Sequence, residues 1–128
     1  MIENLFKDYQ KVDFVLFHGG YPYINEVGVL AKYHPNVFLD ACWLSDISIT
    51  GYKKALSEWL EIVPSNKIFA WGGDQMLIEH SYASLLLAKD LIADVLVDKI
   101  NSGYFNQKVA LSVMKKILGQ NAINLFKL

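Results

Sequence analysis

Asp13-Phe14-Val15-Leu16-Phe17-His18-Gly19-Gly20 is a short apolar run that ends on a histidine and two glycines. A run too short for a helix and closed by turn residues reads as a buried strand followed by a tight turn. Upstream, Ile2, Leu5, Phe6 and Tyr9 recur at helical spacing. Downstream, Ile24, Val27, Leu30 and Ala31 form a helical face that ends at His34-Pro35, because proline disfavours helix in the residue before it. Val37-Phe38-Leu39-Asp40-Ala41 repeats the strand pattern, and Ile68-Phe69-Ala70-Trp71, closed by Gly72-Gly73-Asp74, repeats it again.

Helical patterns separate and follow these runs. Thr50 is the expected N-cap of a helix carrying Tyr52, Leu56, Trp59, Leu60 and Val63 and stopped by Pro64. A longer helix is expected from about Ser81 to Asn101, burying Tyr82, Leu85, Leu86, Ile92, Leu96 and Ile100, with Asp90, Asp94 and Asp98 on an exposed stripe. Asn106 is expected to cap another, with Val109, Ala110, Val113, Met114 and Ile117 inward and Lys115 and Lys116 near its negative end. Gly119 is its expected stop, and Asn121 to Phe126 a last short turn.

Short apolar strands separated by helices are the pattern of parallel strands buried on both faces and joined by right-handed crossovers. The expected fold class is therefore α/β: three βα units with three parallel strands and flanking helices, in one domain over residues 1–128. In such sheets the residues just beyond the strands' carboxyl ends share one edge, so His18, the segment from Asp40 to Trp43, and Asp74 should converge there. The outer strands would leave backbone unpaired, so association or shielding of those edges is expected.

Composition narrows the function classes. The 128 residues are 53% hydrophobic and 20% charged, with a formal net charge of −1. Neither sign gathers into a long run, which argues against nucleic acid as a partner. The apolar segment around Leu85 to Ala88 is broken by Lys89 and Asp90, well short of a membrane span. The first residues lack the basic-then-apolar pattern of a signal peptide. The single cysteine, Cys42, has no partner for an internal disulfide, which fits a reducing, cytoplasmic setting.

The string from Phe14 to Tyr23 resembles the sixth strand and following loop of amidohydrolase-2-type metal hydrolases, the branch fused to glutamine-synthetase-like domains in nodulin-type proteins being most similar. Asn36-Val37-Phe38-Leu39-Asp40 resembles the seventh strand, Lys67 to Asp74 the eighth, and Ile117 to Phe126 the closing helix. The resemblance implies a partial TIM-barrel-like (β/α)n fold, the C-terminal part of an amidohydrolase-like barrel that has eight strands when complete. It also implies hydrolysis of C–N or related bonds with a divalent metal such as zinc or manganese, and places catalytic and metal-binding roles on His18 and Asp74. The ligands that the family draws from its first five strands have no counterpart here, so the chain is expected to be inactive alone.

Simpler readings stand beside these. His18 could cap a strand by bonding backbone, and Asp74 could be a turn carboxylate. Tyr21, Trp43 and His80 are candidate pocket residues, with His80 a possible third member of a His18, His80 and Asp74 metal group. His34 is expected to face solvent at the opposite end of the sheet. Cys42 reads as a small buried apolar residue. Gly19-Gly20 and Gly72-Gly73 read as tight turns, since neither carries a phosphate-binding pattern.

Three functions follow as expectations: a metal-dependent hydrolase unit completed by another chain and acting on a small molecule, a non-enzymatic homo-oligomeric interaction protein, or a small anion-binding domain.

Overall fold

In the computed structural model, which describes residues 2–128, the three apolar runs form strands β1 (Phe14–Leu16), β2 (Val37–Asp40) and β3 (Ile68–Phe69). They lie in the order β1-β2-β3, all parallel, with Leu16 opposite Leu39 and Leu39 opposite Ile68. Side chains alternate along a strand. Val37, Leu39 and Ile68 accordingly point to one face, where they are fully buried, while Phe38 and Asp40 point to the other and are half-buried. The result is the α/β class with a three-stranded parallel sheet, a part of a TIM-barrel-like fold.

The helices are α1 (Ile2–Asp8), α2 (Ile24–Tyr33), α3 (Leu44–Ile47), α4 (Ile49–Ile62), α5 (Ile78–Asn101), α6 (Gln107–Lys115) and α7 (Asn121–Phe126). α4 packs against both α2 and α5 and supplies Tyr52, Leu56 and Trp59, each at most 1% exposed. Burial of such side chains contributes about 1.5–3 kcal/mol each. Their polar tips are matched, as buried polar groups must be: Trp59 Nε1 donates to the Ile24 carbonyl at 3.0 Å and Tyr52 Oη to the Ala70 carbonyl at 2.6 Å.

Three buried polar side chains fasten the loops that lead into the strands. Asn36 Nδ2 lies 3.0–3.2 Å from the carbonyls of Phe6, Tyr9 and Val12, tying the end of α1 to the start of β2. Lys67 Nζ donates to the carbonyls of Ala31 and His34, two acceptors at the end of α2. Asn121 Nδ2 donates to the carbonyls of Ser65 and Ile68 at 2.7 and 2.8 Å. Backbone groups that would otherwise be stranded are thereby satisfied.

The C-terminal segment also shields a sheet edge. Between α6 and α7 the helix widens into a π-turn over Lys116–Gln120, and the Ile117 carbonyl accepts from the Ala70 N–H at 2.8 Å. With Asn121 on Ile68, this covers the outer edge of β3. Among the described residues β1 pairs only with β2, and no strand lies along its other edge.

Several expectations change in detail. The cap of α4 is Ser48, whose Oγ accepts from Gly51 N at 3.0 Å, not Thr50. α5 starts at Ile78, three residues early, and Tyr82 and Leu86 are exposed, because Ser84, Ala88, Leu91 and Val95 carry its inner face. Gly119 does not stop a helix: the chain passes through the π-turn into α7, held there by the bonds to β3. His34 is 7% exposed rather than solvent-facing, its ring 5.5 Å from that of Phe6 and its Nε2 3.6 Å from Glu3. Asn106 caps α6 as expected, and Asp90, Asp94 and Asp98 are exposed.

Candidate functional site

At the carboxyl ends of the strands the backbone makes three unusual turns. His18, Trp43 and Asp74, one beyond each strand, have positive φ angles of 58°, 59° and 43°. Such conformations are uncommon outside glycine and cluster where function holds the chain in place. Here they aim three side chains around one edge, the edge at which α/β sheets bind ligands.

His18 is positioned by β1 and by the turn that follows it. Its Nδ1 lies 3.0 Å from the Cys42 carbonyl. A carbonyl oxygen can only accept, so Nδ1 carries the hydrogen, which in the neutral ring leaves the Nε2 lone pair free. Nε2 lies 3.8 Å from Asp74 Oδ2. The side chains are 39% and 60% exposed, so both are open to solvent. The Trp43 ring meets the His18 ring edge-on, with centroids 5.7 Å apart.

Two residues of the β2 turn complete the grouping. Asp40 Oδ1 accepts from Cys42 N at 2.7 Å, a turn built on one carboxylate. Burial pushes the Asp40 carboxyl above its usual range; the Cys42 N–H and His18 oppose the shift and Asp74 adds to it. Burial, with Asp40, Asp74 and Asp46 nearby, pushes the Cys42 thiol up to about 12. One ligand atom from each of His18, Cys42 and Asp74 lies within 4.8 Å of the others. Nitrogen, sulfur and carboxylate oxygen are all donors that zinc-class cations accept.

His80 stands outside this grouping. It lies in the first turn of α5 and lines a shallow hollow of about 220 Å³ with Asp46, Gln75 and Ser84. Tyr21 is exposed, and its ring edge lies toward Gly51 at the start of α4. Sequence reasoning placed the whole Asp40 to Trp43 segment at the edge but singled out Trp43. The missed signal is the Asp-x-Cys spacing, which lets the carboxylate bond the N–H two residues on and fixes the thiol. Larger cavities are lined by none of His18, Cys42, Trp43 or Asp74, one of about 520 Å³ lined by Ile49, Lys53 and Val95 and one of about 670 Å³ lined by Ile2, Asn25 and Val29.

Comparison with known proteins gives this edge a context. The family model described as Amidohydrolase matches residues 1–128. Protein fluG of Emericella nidulans is 33% identical over 129 residues, a match that covers 99% of this chain and 15% of fluG. A crystal structure from Lactobacillus casei, assigned there as a metal-dependent hydrolase, superposes with a TM-score of 0.79 at 25% identity. That superposition covers 98% of this chain and 33% of the other. The chain thus spans a small part of the proteins it matches. With the family model running over all of its residues, the chain belongs to the amidohydrolase family.

Proposed function

We propose that this chain supplies the His18 and Asp74 part of a metal-dependent hydrolase site for C–N or related bonds, and turns over substrate only when further strands complete the barrel. The observation that carries the proposal is His18 Nε2 facing Asp74 Oδ2 across 3.8 Å at the carboxyl edge of a parallel sheet. A divalent cation, when bound, would bring a water to the nucleophilic state near neutral pH. His18 would present Nε2, held in that tautomer by the Cys42 carbonyl, and Asp74 would accept a proton from the attacking water. Trp43 would form a wall beside His18.

The open edge of β1 and the half-buried face of Phe38 and Asp40 favour a partner that continues the sheet, either a chain carrying the missing strands or a second copy. The net charge of −1 gives no attraction to nucleic acid, and no helix among the described residues is long and apolar enough to cross a membrane. A lone cysteine suits the cytoplasm.

Native mass spectrometry with elemental analysis tests the reading. A complex near whole-barrel mass with bound zinc or manganese, hydrolysing amide or ester substrates, is the expected result. A monomer that carries no metal in the native preparation, with no assembly near barrel size, would sink it.

A further inference from the structure

We propose that Cys42 is itself a metal ligand, its thiolate joining His18 and Asp74 to hold a zinc-class divalent cation on this chain alone. The inference rests on reading the strand-end edge as a metal site, and adds to it a donor that makes cation binding independent of the missing strands. Three protein ligands with one position left open is the usual complement of a catalytic zinc.

The geometry supports the thiol in this role. Its ligand atom is within 4.8 Å of one from His18 and one from Asp74, close enough for a single cation to reach all three after small rotations. The Asp40 carboxylate fixes the Cys42 backbone, and the Cys42 carbonyl fixes His18, so two of the three donors are tied to each other while Asp74 is free to swing toward them. Gly72 makes room on the β3 side: a Cβ there would come within 2.9 Å of Cys42 Sγ. The Asp40 and Asp74 carboxylates beside Cys42 make the surroundings negative, which attracts a cation. On binding, the thiol proton leaves to solvent and sulfur takes up the metal bond. Soft sulfur and imidazole nitrogen favour zinc, cobalt(II) or cadmium over magnesium and manganese.

The test is titration of the full, metal-stripped chain with cobalt(II), followed by native mass spectrometry. The expected result is one cobalt per chain and a thiolate-to-cobalt charge-transfer band, displaced by zinc and not by magnesium. Cys42 is the only cysteine, so within one chain the band has no other source. Cys42→Ser should lose the band and weaken cobalt binding by no less than the roughly 10- to 100-fold that loss of a supporting residue costs. Asp74→Asn should keep the band at reduced affinity. If Cys42→Ser does not fold, the wild-type spectrum decides alone. Cobalt bound without the band, one cobalt shared between two chains, or no binding at all each overturns the inference. None of these results bears on hydrolysis by the completed assembly, which has its own test above.

Discussion

His18 and Asp74 sit on turns after different strands, 56 residues apart in sequence, yet Nε2 of one lies 3.8 Å from Oδ2 of the other. The imidazole is held from behind by the Cys42 carbonyl, whereas the carboxylate is 60% exposed with room to move. An exposed carboxylate adds little to folding stability. Asp74→Asn is therefore expected to leave the melting temperature of the chain essentially unchanged. In the completed assembly it should lower the hydrolytic rate about 10²- to 10⁴-fold, the usual contribution of a positioned acid or base. Paired melting curves and steady-state rates check this; a large loss of stability would mark Asp74 as structural instead.

Asp40 carries a different prediction. Its carboxyl is raised, chiefly by burial, so the folded chain holds that proton more tightly than the unfolded chain does. The sign follows from linkage: this group's stabilisation is full below the unfolded carboxyl value and is lost as pH rises through the raised folded value. Asp40→Asn retains an oxygen to accept from Cys42 N and has no proton to lose. The variant should be the more stable at neutral pH, with its advantage shrinking in mild acid. Urea melts of both proteins at the two pH values measure it, and an advantage that grew in acid would contradict the assigned sign.

Asn121 shows how the sheet edge is finished. Removing its amide with Asn121→Ala leaves the buried Ile68 carbonyl and the part-buried Ser65 carbonyl without their partner, at a cost of about 1–3 kcal/mol. Loss of the cover over β3 should also increase self-association, since an unpaired edge is a template for another strand. Denaturant unfolding together with sedimentation velocity would report both effects; an unchanged midpoint would show that water replaces the amide without penalty.

The strands were legible because their apolar runs end on turn residues, and the shared edge followed from the parallel order alone. His18 and Asp74 are where that reasoning places them, but the contacts that fix them were not readable. The bond from His18 to Cys42 joins residues 24 apart, and nothing in the local pattern marks it. His34 was misplaced for a similar reason: its burial depends on Phe6 and Glu3, about thirty residues upstream, and on Lys67 reaching its carbonyl. Ser48 and Thr50 are both accepted caps by residue type, serine somewhat the better, and the turn after α3 selects it. The π-turn at Lys116–Gln120 has its cause in β3, so a helical pattern followed by glycine read naturally, and wrongly, as a stop.

Two glycines separate local from tertiary causes with one substitution. Gly19, in the turn that delivers His18, has φ of +59°, and a Cβ there would lie 2.7 Å from Leu44 Cδ2 and 3.0 Å from Trp59 Cη2. Gly19→Ala meets the left-handed penalty of about 1–2 kcal/mol. Crowding of the core adds about 1–3 kcal/mol. Gly119 has no positive φ and nothing within 4 Å of a Cβ, so Gly119→Ala removes a flexible residue from a helical segment at no steric cost. That change should stabilise the chain by about 0.5–1 kcal/mol. The same replacement is thus expected to lower the unfolding midpoint at one site and raise it at the other. If both variants moved the midpoint in the same direction, the conformations assigned to the His18 turn and the π-turn could not both hold.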